Sequence, residues 1–113
     1  MQLSLVEVPP TTPVEVVYYA TEGCLIKIGR TSSPRRRGGE LKVDMLLTIP
    51  GGDFEERRHH RMWAKYRIGK SEWFRPGDEL LLWLATRLLG NGPSREAAIL
   101  GHMILGLKRR AAA

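Results

Sequence analysis

Two runs of β-favouring residues separated by a glycine turn constrain this chain more than any other feature. Val14-Glu15-Val16-Val17-Tyr18-Tyr19 is rich in β-branched and aromatic side chains and predicts a strand. Thr21-Glu22-Gly23 follows, with Gly23 free to take positive φ. Cys24-Leu25-Ile26-Lys27-Ile28 predicts a second strand, which Gly29 ends. Joined so closely, the two must pair antiparallel as a β-hairpin. Side chains alternate across a strand, so Tyr18 and Tyr19 face opposite sides and only one can join a given site.

Upstream, residues 1–13 hold Pro9, Pro10 and Pro13 and read as an N-terminal arm, because proline cannot donate to a ladder. Downstream, Ser33-Pro34 signals a helix start over Pro34 to about Leu41. Met45-Leu46-Leu47-Thr48-Ile49 predicts a third, central strand, broken by Pro50-Gly51-Gly52. Asp53 followed by Glu56 resembles a capping box and opens a helix from Phe54 to about Tyr66, with Met62, Trp63 and Tyr66 on one face. Ser71-Glu72-Trp73-Phe74 reads as a short extended piece, with Trp73 and Phe74 closing the core. A helix from Asp78 to about Leu89 stops at Gly90, and Ser94 caps a last one over Arg95 to about Arg110. The expected fold is α+β: a small three-stranded antiparallel sheet flanked by helices, spanning residues 14–90. Residues 91–113 form a C-terminal accessory helix that offers a surface for oligomers or a partner.

The 113 residues suit one domain, and their net charge of +6 suits a polyanionic partner, nucleic acid before an anionic membrane. Lone Cys24 can form neither an internal disulfide nor a zinc-ligand set, which favours a reducing compartment. No signal peptide is expected, and the longest apolar runs, such as Leu80 to Ala85, fall far short of the roughly 20 residues that cross a bilayer. The expected location is the cytoplasm of a bacterial or phage-infected host. The clusters Arg35-Arg36-Arg37, Arg57-Arg58 and Lys108-Arg109-Arg110 could line a nucleic-acid track or form an ordinary solvated surface.

Five pieces in order carry a resemblance: Val16-Val17-Tyr18-Tyr19; Lys27-Ile28-Gly29; Thr31, Pro34 and Arg37 within KIGRTSSPRRR; Glu56 and His60 within EERRHHRMW; and Glu72-Trp73-Phe74. Together they resemble the GIY-YIG nuclease superfamily, in its phage and bacterial branch, over residues 16–88. The resemblance implies a metal-dependent endonuclease that hydrolyses DNA with one divalent cation, Mg²⁺ or Mn²⁺. It implies that Tyr18 acts on the nucleophilic water, Arg37 holds the phosphate and Glu56 binds the metal. His60, one helical turn after Glu56, joins them as a catalytic candidate that could shuttle a proton, hold phosphate or orient Glu56. Lys27, Arg30 and Arg36 are candidate substrate-binding residues. Glu55 is a reserve ligand, Glu72 a candidate ion-pair partner for an arginine near the site, and His59 a weaker candidate than His60.

The chemistry agrees with the residue types. Phosphodiester hydrolysis needs charge neutralised on the phosphate and a positioned water. An arginine fork clamps phosphate oxygens, and Mg²⁺ commonly takes one or two carboxylates while keeping its waters. An ordinary tyrosine titrates near 10, so Tyr18 needs cationic neighbours or metal-bound water to act as a base. The chain departs from the superfamily at Lys27, where a second signature tyrosine is usual, at Val16, in place of a glycine, and in lacking a match for a late asparagine. A nucleic-acid-binding module without catalysis, or a protein-interaction domain, stands as the alternative.

Overall fold

A computed structural model describes residues 14–112. The expected N-terminal arm, residues 1–13, lies outside the described residues.

The hairpin is present and longer than its apolar runs suggest: β1 spans Val16–Glu22 and β2 Leu25–Thr31. They pair antiparallel with Tyr19 opposite Ile28 and Tyr18 opposite Gly29. Gly23 makes the turn at φ +61°, a conformation that disfavours a Cβ. β3, Asp44–Pro50, pairs antiparallel with the other side of β1, and the register shifts between Tyr19 and Ala20.

Among the described residues the sheet has four strands and not three. Trp73–Phe74 forms β4 on the outer side of β2, giving the order β3-β1-β2-β4. The edge of β2 would otherwise leave backbone groups unpaired. β4 closes that edge opposite Ile26 and Lys27, and the Ile28 N–H donates to the Glu72 carbonyl at 2.9 Å. A strand of two residues has too little alternation to be distinguished in the sequence from an extended loop.

One face of the sheet, bearing Val17, Tyr19, Ile26 and Ile28, packs into the core. α3 (Asp78–Leu89) covers it with Leu80, Leu81, Leu84 and Leu88, and α4 (Arg95–Ala112) adds Leu100 and Met103. Ser94 caps α4 as expected, its hydroxyl accepting the Ala97 N–H at 3.0 Å. α4 thus contributes to the same core as the sheet. Its Leu105 remains half exposed. No helix among the described residues is long and apolar enough to cross a membrane.

α1 (Pro34–Leu41) packs on β3 and β1. A Cβ at Gly38 would stand 3.2 Å from the Met45 side chain, so glycine permits this close approach at the expense of helix propensity. α2 (Asp53–Met62) packs on β2. Two expectations for α2 are corrected. Asp53 is its first residue, not its cap; Gly52 takes the cap position and no side chain closes a capping box. The helix also ends at Met62, and a 3₁₀ turn, Ala64–Tyr66, follows. That break leaves Met62 exposed while Trp63 is buried and stacks with Tyr66.

Candidate active site

Tyr18 leaves the core side of β1 and lies across its ladder partner, Gly29. A Cβ on Gly29 would fall 2.5 Å from the Tyr18 hydroxyl, so only glycine lets the ring lie there. Tyr18 is 1% exposed. Its hydroxyl makes no hydrogen bond to another described residue. Burial pushes the phenol up to about 12, helped by the negative charges of Glu72 and Glu56 and opposed by Arg37. At neutral pH it is a neutral phenol.

Glu56 enters from the first turn of α2. With no capping box to close, it turns inward and is 8% exposed. Arg30 Nε lies 3.3 Å from its carboxylate and His60 Nε2 4.0 Å. Burial and the charge of Glu72 raise its pKa, and His60 and Arg30 work against them. The Glu56 and Glu72 carboxyls are within hydrogen-bonding reach of each other. Glu72 is held by Lys27, with Nζ 3.0 Å from Oε1, and Lys27 also lies over the Trp73 ring. The arginine partner expected for Glu72 is thus a lysine.

The remaining candidates each have a protein partner. His60 donates Nε2–H to the Ile28 carbonyl at 2.8 Å and stands edge-on to Phe74, which anchors α2 beside β2. Arg30 bridges Glu56 and, at 3.4 Å, Glu15. Arg37 acts on the Tyr18 phenol by its charge while its Nε stays 3.8 Å from Glu40. Arg36 is exposed and pairs with Glu40 at 3.1 Å. Glu55 points away from Glu56, toward Arg58.

The sequence ranks His59 low, and its surroundings are structural. The Tyr19 hydroxyl donates to His59 Nδ1 at 2.5 Å and accepts the Trp63 indole N–H at 2.9 Å. His59 Nε2 then carries the proton and is buried without a hydrogen-bond partner. Burial and the charge of Arg58 lower the His59 pKa. Neutral His59 therefore contributes stability above the ordinary histidine range. That stability should fall as the pH drops below about 6.5 toward the depressed native value. Urea denaturation of wild type and His59→Gln between pH 7.5 and 5 should show the larger loss in wild type. Equal losses would exclude His59 as the source.

The structure thus brings Tyr18, Glu56, His60, Arg30 and Lys27 into one neighbourhood within reach of the Arg37 charge. It leaves Arg36 on the outer surface of α1. Glu72 holds a more central position than its sequence suggests. The signal for it was its place directly before the Trp-Phe pair that becomes β4. No three His, Cys, Asp or Glu side chains among the described residues form a ready-made metal-ligand group. No family model, curated protein or solved structure matches the chain.

Proposed function

We propose that this chain is a metal-dependent endonuclease that hydrolyses DNA phosphodiester bonds. The observation that carries the reading is that the buried Tyr18 phenol of β1 feels the charges of both the buried Glu56 carboxylate of α2 and the Arg37 guanidinium of α1. The net charge of +6 supports a nucleic-acid partner.

Glu56 is the residue to hold Mg²⁺ or Mn²⁺, with Glu72 close enough to share the load. One or two carboxylates suit a hard cation that keeps most of its waters. A bound cation would neutralise phosphate charge and acidify a water. Arg37 supplies a planar fork for the phosphate oxygens. Tyr18 acts as a neutral phenol, its oxygen positioning the water and not removing a proton by itself. Arg30 works against the burial and the Glu72 charge that raise the Glu56 pKa. His60 is a positioning residue, since its Nε2–H is committed to a backbone carbonyl. Lys27, paired with Glu72, replaces the second phenol with a charge that can turn to phosphate.

The second reading, a DNA-binding module without catalysis, is favoured by one observation: the only phenol in the cluster titrates near 12 and Lys27 stands where another is usual. Cleavage of plasmid and branched DNA with Mg²⁺ or Mn²⁺ separates the two. Wild type should cut, and Arg37→Ala should cut at least tenfold more slowly, the loss of one charge-assisted phosphate contact. Cleavage at the wild-type rate by both Arg37→Ala and Glu56→Ala would refute the site.

A further inference from the structure

β2 passes into α1 through Ser32 and Ser33, and the junction forms an open surface cavity of about 140 Å³ lined by Thr31, Ser32, Ser33, Arg36, Arg37 and Glu40, of which only Thr31 is buried. We propose that this cavity is a second phosphate subsite, which holds the phosphodiester next to the reacting one. Its source, a nucleic-acid strand, rests on the DNA reading above; its preference for an acceptor-only anion does not.

The lining contains hydroxyls and charged groups and no apolar side chain. Two guanidiniums face one carboxylate, so a cation is disfavoured. Glu40 stays with Arg36 at 3.1 Å and Arg37 at 3.8 Å, which braces both forks beside the cavity. Thr31 is more than nine-tenths buried; its Oγ1 accepts the Ser33 N–H at 3.0 Å. The Thr31 hydroxyl hydrogen has no acceptor among the described residues, and the cavity beside it has room for one. The Ser33 hydroxyl makes no capping bond, so it too is free to donate. Pro34 brings no N–H, and the first helical bond is from Arg37 N–H to the Ser33 carbonyl at 2.9 Å, leaving the Arg35 and Arg36 amides open. Every unpaired group here can donate: two hydroxyls, two backbone amides and the guanidinium N–H groups not taken by Glu40. The cavity opens to solvent, so a phosphate group can enter it and keep part of its hydration. Arg37 borders this cavity and acts on Tyr18, which makes the two sites neighbours along one backbone. The subsite also gives exposed Arg36 a role that the phenol cluster does not.

The test uses the full chain without divalent cation, so that no cutting intervenes. Inorganic phosphate, titrated against the ¹⁵N-labelled protein, should shift the amides of Ser32, Ser33, Arg35 and Arg36 saturably. Thr31→Val and Arg36→Ala should weaken that response, with their folds checked by thermal melts. For a short DNA duplex, Arg36→Ala should lower affinity roughly tenfold and reduce the salt slope by about one counterion. Shifts spread elsewhere, or phosphate binding with DNA affinity and salt slope unchanged in Arg36→Ala, would overturn the subsite. Wild-type protein that binds through this cavity yet never cuts DNA would overturn the nuclease reading and leave the subsite standing.

Discussion

Glu56→Gln should abolish Mg²⁺-dependent cleavage and make the protein more stable at neutral pH. Loss of a carboxylate that holds a catalytic cation removes several kcal/mol of transition-state stabilisation, on the order of a hundredfold or more in rate. Stability should move the other way. Burial and the neighbouring Glu72 raise the Glu56 pKa despite the Arg30 contact at 3.3 Å, so the ionised form is disfavoured in the folded state. A carboxylate whose native pKa lies above its unfolded value favours folding while protonated. That advantage is lost as the pH climbs through the ordinary carboxylate value and on to the native one. Glutamine mimics the protonated group at every pH. Thermal melts should therefore show Glu56→Gln above wild type at pH 7 to 8, with the two converging below about pH 4. A purely structural Glu56 would give the opposite sign, because breaking its pair with Arg30 would destabilise the variant. Saturating Mg²⁺ should raise the wild-type melting temperature and leave the variant unmoved.

The second large effect is expected at Gly29. Gly29→Ala places a methyl group 2.5 Å from the Tyr18 hydroxyl and 2.7 Å from the ring carbon that bears it. Overpacking of this kind costs about 1–3 kcal/mol, and here the strain has an obvious release: the phenol must leave the sheet surface. Cleavage should then fall at least as far as in Tyr18→Phe, because ring and hydroxyl are both displaced. In a Tyr18→Ala background the collision is gone, and alanine is the better strand residue by about 0.5–1 kcal/mol. Gly29→Ala should thus destabilise wild type and stabilise Tyr18→Ala. Urea denaturation of the four proteins gives the coupling directly. A cost that is the same in both backgrounds would mean that the Tyr18 ring does not lie on Gly29.

These expectations depend unequally on local and long-range structure. The hairpin is legible because its signals are neighbours in the chain: β-branched residues on either side and a glycine at φ +61° between them. The starts of α1 and α4 are legible for the same reason, at Pro34 and Ser94. The end of α2 is not, since Trp63 leaves the helix to reach the Tyr19 hydroxyl, a contact that no local pattern encodes.

Alternation along β1 determines that Tyr18 and Tyr19 part company; it does not say which of them joins the core. That choice was made when α3 and α4 covered the side carrying Tyr19, leaving Tyr18 with Gly29. The residue order likewise places Glu56 three positions after Asp53 but leaves open whether it caps the helix or turns inward. Gly52 at the cap position and the pull of Arg30 decide this in the fold. Lys27 and Glu72 lie far apart in the chain and meet only because β4 closes the edge of β2. The sequence by itself therefore determined the hairpin, the helix starts and the residue types of the candidate site. Only the tertiary structure decided which of those side chains share a surface. Local conformation depends on interactions a few residues apart, whereas a site depends on pairings that form when distant segments pack.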